Sequence, residues 1–138
     1  MSLLLLTGAP TIALACCPGG GNGKELAKRG LGETKPMADN LSNDSSWQVY
    51  GFERDGIAYY QVNDLAGRVQ LIIGKADDYF WALPAGDNAR RVSLPHDRVA
   101  APAEAAGKVV YRHPEFILVL LGGGADAVWA VEVPRPAG

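Results

Sequence analysis

Cysteine is scarce in this sequence, and both cysteines lie near one end. The 138 residues contain only Cys16 and Cys17, which are adjacent. A disulfide between neighbouring residues needs a strained ring, and no third cysteine offers either of them another partner. The remainder of the chain therefore holds together by packing alone, and cysteine nucleophiles are excluded from it.

Other groups that carry chemistry are few and scattered. His96 and His113 are the two histidines, and their spacing does not match that of paired metal ligands. Each adjoins a proline, which favours exposed turns. No Gly-x-Ser-x-Gly or Ser-x-x-Lys motif occurs. The sequence predicts a protein that is not an enzyme and uses neither a metal nor another cofactor.

Basic residues form no block along the chain. Thirteen Lys and Arg stand against fifteen Asp and Glu, for a net charge of −2. A nucleic-acid-binding domain normally carries a basic patch, so no nucleic-acid partner is expected. A hydrophobic content of 48% argues against disorder of the whole chain.

The first residues form an apolar stretch without charged side chains. This stretch, residues 1–15, is shorter than the roughly 20 residues that span a bilayer as a helix. Its length suits the apolar region of a signal peptide, and Ala13-Leu14-Ala15 matches the small-residue cleavage pattern. We interpret residues 1–15 as a signal-peptide-like segment. A signal peptide normally begins with Lys or Arg, and this segment contains neither. The start codon could therefore lie further upstream.

The run Leu14-Ala15-Cys16-Cys17 resembles a bacterial lipobox, in which small residues precede a cysteine that becomes diacylated. The resemblance implies lipidation of Cys16, with Cys17 as the alternative, and a location on the periplasmic side of a bacterial membrane. Each buried CH₂ group contributes about 0.8 kcal/mol, so two acyl chains would hold the protein on the membrane. Two alternatives stay open: cleavage that releases a soluble periplasmic protein, and an apolar N-terminal helix buried in the fold.

Residues 16–46 are rich in glycine, asparagine, serine and charge. This composition is typical of a flexible, solvated tether. We expect the folded domain to begin at residue 47 and to continue to residue 138.

From residue 47 onward, three stretches share one pattern: a strand, a polar tip and an aromatic-rich strand. They cover residues 48–62, 69–83 and 116–133, and each predicts a β-hairpin. Weaker strand signals at residues 90–94 and 108–112 bring the total to eight. The sequence predicts an all-β fold, an antiparallel meander of about six to eight strands arranged as a small barrel or a sandwich.

Two features of these hairpins suggest a surface for a protein partner. Consecutive strand residues point to opposite faces, so Tyr79 and Trp81 share one face, which suits an interface. Acidic residues concentrate at the three tips, and they would form one rim if the hairpins pointed the same way. The residues at the tips are Glu53, Asp55, Asp77, Asp78 and Asp126. The alternative is that Asp favours turns for local reasons and that the aromatic residues are packed on both faces.

These observations favour a binding protein over an enzyme. A small tethered β domain without a catalytic motif matches the class of periplasmic inhibitors and immunity proteins, which block an envelope enzyme or a toxin. This is an analogy of class and not a motif match. The alternative is a structural or assembly lipoprotein of an envelope or secretion complex.

Overall fold

The strands of the protein fall into two groups along the chain. The computed structural model describes residues 25–102 and 105–134, so the expected signal segment, Cys16 and Cys17 lie outside its described part. Within these ranges the strands are β1 (Trp47–Arg54), β2 (Ile57–Asp64), β3 (Val69–Ala76), β4 (Tyr79–Ala82), β5 (Val92–Ser93), β6 (Gly107–Arg112), β7 (Ile117–Leu121) and β8 (Val128–Glu132).

Each group of strands forms one four-stranded sheet. The first sheet has the order β1-β2-β3-β4 and is antiparallel throughout. The second has the order β5-β8-β7-β6, in which β5 pairs with β8 in parallel and the other pairs are antiparallel. The prediction of an all-β fold is confirmed, and the described strands form two sheets with no closed barrel.

The first two hairpins turn more tightly than the sequence suggested. Arg54 pairs with Ile57, which leaves only Asp55 and Gly56 in the turn, with φ of 54° and 78°. Positive φ at both positions is the geometry of a two-residue hairpin turn that matches the twist of the strands. The predicted tips were longer because charged strand ends resemble loops in sequence, although their backbones continue the ladder.

The two sheets bury a common apolar core. Trp47 of the first sheet meets Trp129 of the second edge to face at 4.9 Å, and Tyr60 lies 5.2 Å from Phe116 in the same manner. The cluster contains buried residues from both sheets, among them Val49, Val62, Leu71, Ile73, Phe80, Val110, Leu118 and Val131. Fully burying one such side chain stabilises the fold by roughly 1.5–3 kcal/mol, so this shared core fixes how the sheets face each other.

Residues 25–46 pack on the sheets, which differs from the flexible tether expected there. Ala27 forms a parallel bridge with Phe52 along the outer edge of β1. Leu41 is buried in the core, and its amide donates to the Val49 carbonyl at 2.7 Å. The amide of Asn43 donates to the Val110 carbonyl of β6 at 2.7 Å. The segment therefore joins an edge of each sheet.

A buried amide pair on β2 holds a loop from the same segment. Gln61 and Asn63 are fully buried, and the Gln61 Nε2 group donates to the Asn63 Oδ1 atom at 2.9 Å and to the Glu33 carbonyl at 2.8 Å. The amide of Gly32 donates to Gln61 Oε1 at 2.6 Å. Buried polar groups must be hydrogen-bonded to avoid a desolvation cost. This loop therefore supplies the backbone partners that allow Gln61 and Asn63 to be buried on the outer face of β2.

Asp44 should make the stability of the fold sensitive to acid. Its buried carboxylate accepts a hydrogen bond from the Ser46 amide at 2.8 Å and lies 3.0 Å from Lys108 Nζ. The Ser46 amide and then Lys108 hold the pKa of this carboxyl below its usual value of 3.8. A lowered folded-state pKa stabilises the fold above the unfolded value, and the contribution is lost as pH falls through the folded value.

We therefore expect Asp44→Asn to destabilise the protein by about 1–3 kcal/mol at pH 7 and by much less near pH 2. The free energy of unfolding in urea, measured at both pH values, tests this. Asp39→Asn, at an exposed position of the same segment, is the matched control. An Asp44→Asn effect of equal size at both pH values would contradict the assignment.

Candidate interaction surface

Four aromatic rings gather on the outer face of the first sheet, near its β4 edge. We call Tyr59, Tyr79, Trp81 and His96 the aromatic face. The Tyr59 and Trp81 rings meet edge to face at 6.4 Å, and Tyr79 stacks on Trp81 at 6.0 Å. Tyr79 and Trp81 therefore share one side of the sheet, as strand alternation predicts.

Gly74 shapes this surface from the middle of the sheet. It lies on β3 between Tyr59 of β2 and Trp81 of β4 in one cross-strand row. A Cβ atom added at Gly74 would lie 2.2 to 2.5 Å from atoms of the Trp81 indole. The indole thus lies directly over the β3 backbone, where only glycine leaves room for it.

His96 reaches the aromatic face from a turn after β5. The amide of Leu94 donates to the Asp97 carbonyl at 2.9 Å, and the amide of Asp97 donates to the Leu94 carbonyl at 3.1 Å. This turn holds the exposed His96 ring against Tyr79, with centroids 4.7 Å apart and an interplanar angle of 22°. No local sequence pattern indicates this contact, because it joins a strand of the first sheet to a turn that follows a strand of the second.

The aromatic face is partly open to solvent. Tyr79 is 56% exposed, and Tyr59 and Trp81 are half-buried. Phe52, which pairs with Tyr59 on β1, is 2% exposed, and Gly30 of the covering segment lies against its ring. The segment before β1 therefore covers one part of this sheet face and leaves the aromatic part accessible.

The acidic tips do not form one rim, so that part of the prediction is corrected. Strands β1 and β3 run in the same direction, and the turns that follow them place Asp55, Asp77 and Asp78 at one end of the first sheet. Glu53, at the same end, forms an ion pair with Lys28 at 3.2 Å. The acidic residues of the first two hairpins therefore share one end of the molecule.

Asp126 lies at the opposite end. Glu115 and Val133, at the open end of the β7–β8 hairpin, share a cleft with Asp77 and Asp78, so the closed tip of that hairpin points away from them. Near that tip, the Arg91 guanidinium lies 3.9 Å from the Asp126 carboxylate and donates to the Ala125 carbonyl. The sequence could not show this because it did not reveal the relative direction of the two sheets.

The cleft beside the Asp77–Asp78 turn has a volume of about 770 Å³. Lys75 projects into it from the inner side of β3, with only 10% of its side chain exposed, and forms an ion pair with Glu115. This contact holds the pKa of Glu115 below its usual value. The charge of Lys75 is thus balanced by Glu115, and Asp77 and Asp78 are left as the negative groups at the mouth of the cleft.

His113 is not the exposed turn residue that its proline neighbour suggested. Its half-buried ring stacks on Phe116 at 4.7 Å, and its Nδ1 atom accepts a hydrogen bond from the Glu115 amide at 3.0 Å. Burial lowers the pKa of His113, and burial also raises the pKa of the nearby Tyr111 to about 12. These groups form the end of the core, with their uncharged forms favoured.

Residues 25–102 and 105–134 contain no group of three His, Cys, Asp or Glu side chains close enough together to hold a metal ion. In the same ranges, no helix has the length and apolar character required to cross a bilayer.

No protein-family model matches the chain, and neither curated proteins nor solved structures give a significant match.

The packing of Trp81 over Gly74 can be tested by substitution. Gly74→Ala should displace the indole and destabilise the fold by about 1–3 kcal/mol, because the added methyl group overlaps it. Near-UV circular dichroism and urea unfolding measure the two effects. In a Trp81→Ala background, Gly74→Ala should cost much less, and an undiminished cost there would contradict the proposed overlap.

Proposed function

We propose that this chain is an exported, lipid-anchored binding module of a bacterial envelope. Its β domain docks on a protein partner and acts as an inhibitor or immunity-type protein against an envelope enzyme or a toxin. The observation that carries the proposal is the accessible aromatic face, which adjoins the acidic Asp77–Asp78 turn at the edge of the first sheet.

The aromatic face has the composition of an interface centre. Tyr and Trp are the residues that most often contribute large binding energies, since they bury much apolar area with little loss of side-chain entropy. Single exposed apolar residues are common on protein surfaces. Here three aromatic side chains and a histidine are in mutual contact, which favours one shared contact area.

The neighbouring charges suggest the character of the partner. Asp77 and Asp78 directly precede Tyr79 and are both exposed. A basic surface on the partner would complement them and would approach faster than a neutral one. Arginine suits such a site because its guanidinium pairs with carboxylates and also stacks on aromatic rings.

The membrane anchor is the second part of the proposal. It rests on the apolar residues 1–15 and on the lipobox-like run that ends in Cys16 and Cys17. An anchor on the periplasmic side would hold the β domain near envelope proteins and raise its effective concentration there.

Acylation can be tested by growing bacteria that express the full chain with labelled palmitate. We expect label in the wild type and its loss in Cys16→Ala, since only the modified cysteine carries lipid. If label persists until Cys17→Ala is added, Cys17 is the modified residue. A wild-type chain without label would contradict the anchor but not the binding role of the β domain.

The binding role can be tested by photo-crosslinking in the cells that produce the protein. Benzoyl-phenylalanine in place of Tyr79 should yield one stoichiometric adduct with an envelope protein. The same residue in place of Met37, which is 98% exposed in a loop of the covering segment, is the matched control. Trp81→Ala should weaken the adduct about tenfold, as loss of an interface anchor does.

The outcomes separate the two candidate roles. One hydrolase or toxin captured from position 79 supports the inhibitor or immunity role. Several membrane proteins of one complex would support the alternative, a structural or assembly lipoprotein. The edge of β4 also favours this alternative, since the outward backbone groups of Phe80 and Ala82 form no hydrogen bond within the described residues. Equal adducts from positions 79 and 37, or none from position 79, would contradict the binding surface.

A further inference from the structure

Two of the four sheet edges are occupied by the chain itself. At β1, the Gly51 carbonyl accepts from the Ala27 amide at 2.9 Å, and the Val49 carbonyl accepts from Leu41 at 2.7 Å. At β6, the Val110 carbonyl accepts from Asn43, and the Arg112 amide donates to Asn43 Oδ1. The third edge, β5, has only two residues, which is too short to accept much of a strand.

The fourth edge, formed by β4, differs from the other three because its outward backbone groups have no partner within the described residues. The amide of Leu83 donates to the Ile72 carbonyl of β3 at 2.9 Å. Backbone groups alternate in direction along an antiparallel strand, so Trp81 and Tyr79 also bond towards β3. The amides and carbonyls of Phe80 and Ala82 therefore point away from it. Among residues 25–102 and 105–134, no backbone or side-chain group pairs with them.

We propose that β4 accepts an extended, basic segment of a protein partner as a fifth strand of the first sheet. This inference rests on the proposed binding function and specifies its mode. The added strand pairs with the outward backbone groups of Phe80 and Ala82. Strand addition of this kind derives affinity from main-chain hydrogen bonds and specificity from alternate side chains.

The surroundings of β4 indicate which side chains that segment carries, with basic ones at the Tyr79 end, since Arg90 and Arg91 share a cleft with Ala82 at the other end. On the outer side of the sheet, alternate side chains of the added strand lie beside the Trp81 and Tyr79 rings and close to Asp77 and Asp78. Arginine can stack on these aromatic rings and can also pair with these carboxylates. On the inner side, the neighbours are Phe80 and the half-buried Ala82, which contact the core, so those positions call for apolar residues.

An arginine–valine alternating decapeptide is a direct probe of this mode. Amide hydrogen exchange of the full chain, read by NMR with and without saturating peptide, reports on single backbone groups. We expect exchange at Phe80 and Ala82 to slow at least about tenfold, because the peptide carbonyls accept from these amides. Exchange at Tyr79 and Trp81 should change little, since those amides already bond to β3.

Ala82→Pro provides the matching variant. Proline removes an outward amide and obstructs an added strand, but it leaves the hydrogen bonds between β3 and β4 in place, because the Ala82 amide does not bond to β3. Peptide affinity should fall at least about tenfold. Ala100→Pro, in an exposed loop, is the matched control, and thermal unfolding shows whether each variant folds. The wild-type exchange pattern tests the proposal without any variant.

Several results would overturn the proposal. Binding of the peptide without slower exchange at Phe80 and Ala82 would show contact by side chains alone. Equal binding of a glutamate–valine decapeptide would exclude a basic segment, and failure of both peptides to bind would exclude strand addition. Protection of the two amides in concentrated protein alone, lost on dilution, would assign the edge to a second copy of this chain.

These results are distinct from failure of the proposed function. If position 79 captures an envelope protein while Ala82→Pro leaves that adduct unchanged, the binding function stands and the strand mode falls. If position 79 captures nothing, the proposed function itself falls.

Discussion

Burial of one apolar layer between two small sheets is the constraint on which the rest of this structure depends. Neither four-stranded sheet can shield its own inner face from water, and each covers the other. The contact between Trp47 and Trp129 and the cluster around Tyr60 and Phe116 place large rings from both sheets in this layer. With no disulfide available in the described residues, this packing fixes the relative position of the sheets.

Two open sheets leave four edges and two outer faces, and the rest of the described chain covers only some of them. The segment before β1 closes the edges of β1 and β6 and covers part of the outer face of the first sheet through Gln61 and Asn63. Within the described residues, no backbone group pairs with Phe80 or Ala82 at the edge of β4, although the turn that carries His96 contacts Tyr79. The exposed rings, the unpaired backbone groups and the Asp77–Asp78 turn consequently meet at one place, and this coincidence makes β4 the candidate site.

Much of the fold could be predicted because strands and turns have recognisable local sequence patterns. Alternating apolar and polar residues, with glycine and aspartate between them, located all three hairpins, and alternation placed Tyr79 and Trp81 on one face. The segment before β1 was missed for a physical reason. Its asparagine and serine side chains, which looked solvated, replace backbone partners at the sheet edges, as Asn43 does at Arg112.

The sequence by itself determined the secondary structure, the lack of a disulfide in the β domain and the grouping of Tyr79 with Trp81, because these follow from spacing and residue type. Only the tertiary structure decided which tips lie together, that Asp126 is at the far end, that His96 stacks on Tyr79 and that the edge of β4 is unpaired. These features depend on the direction in which one sheet faces the other. That direction is set by long-range packing, which local sequence patterns do not record.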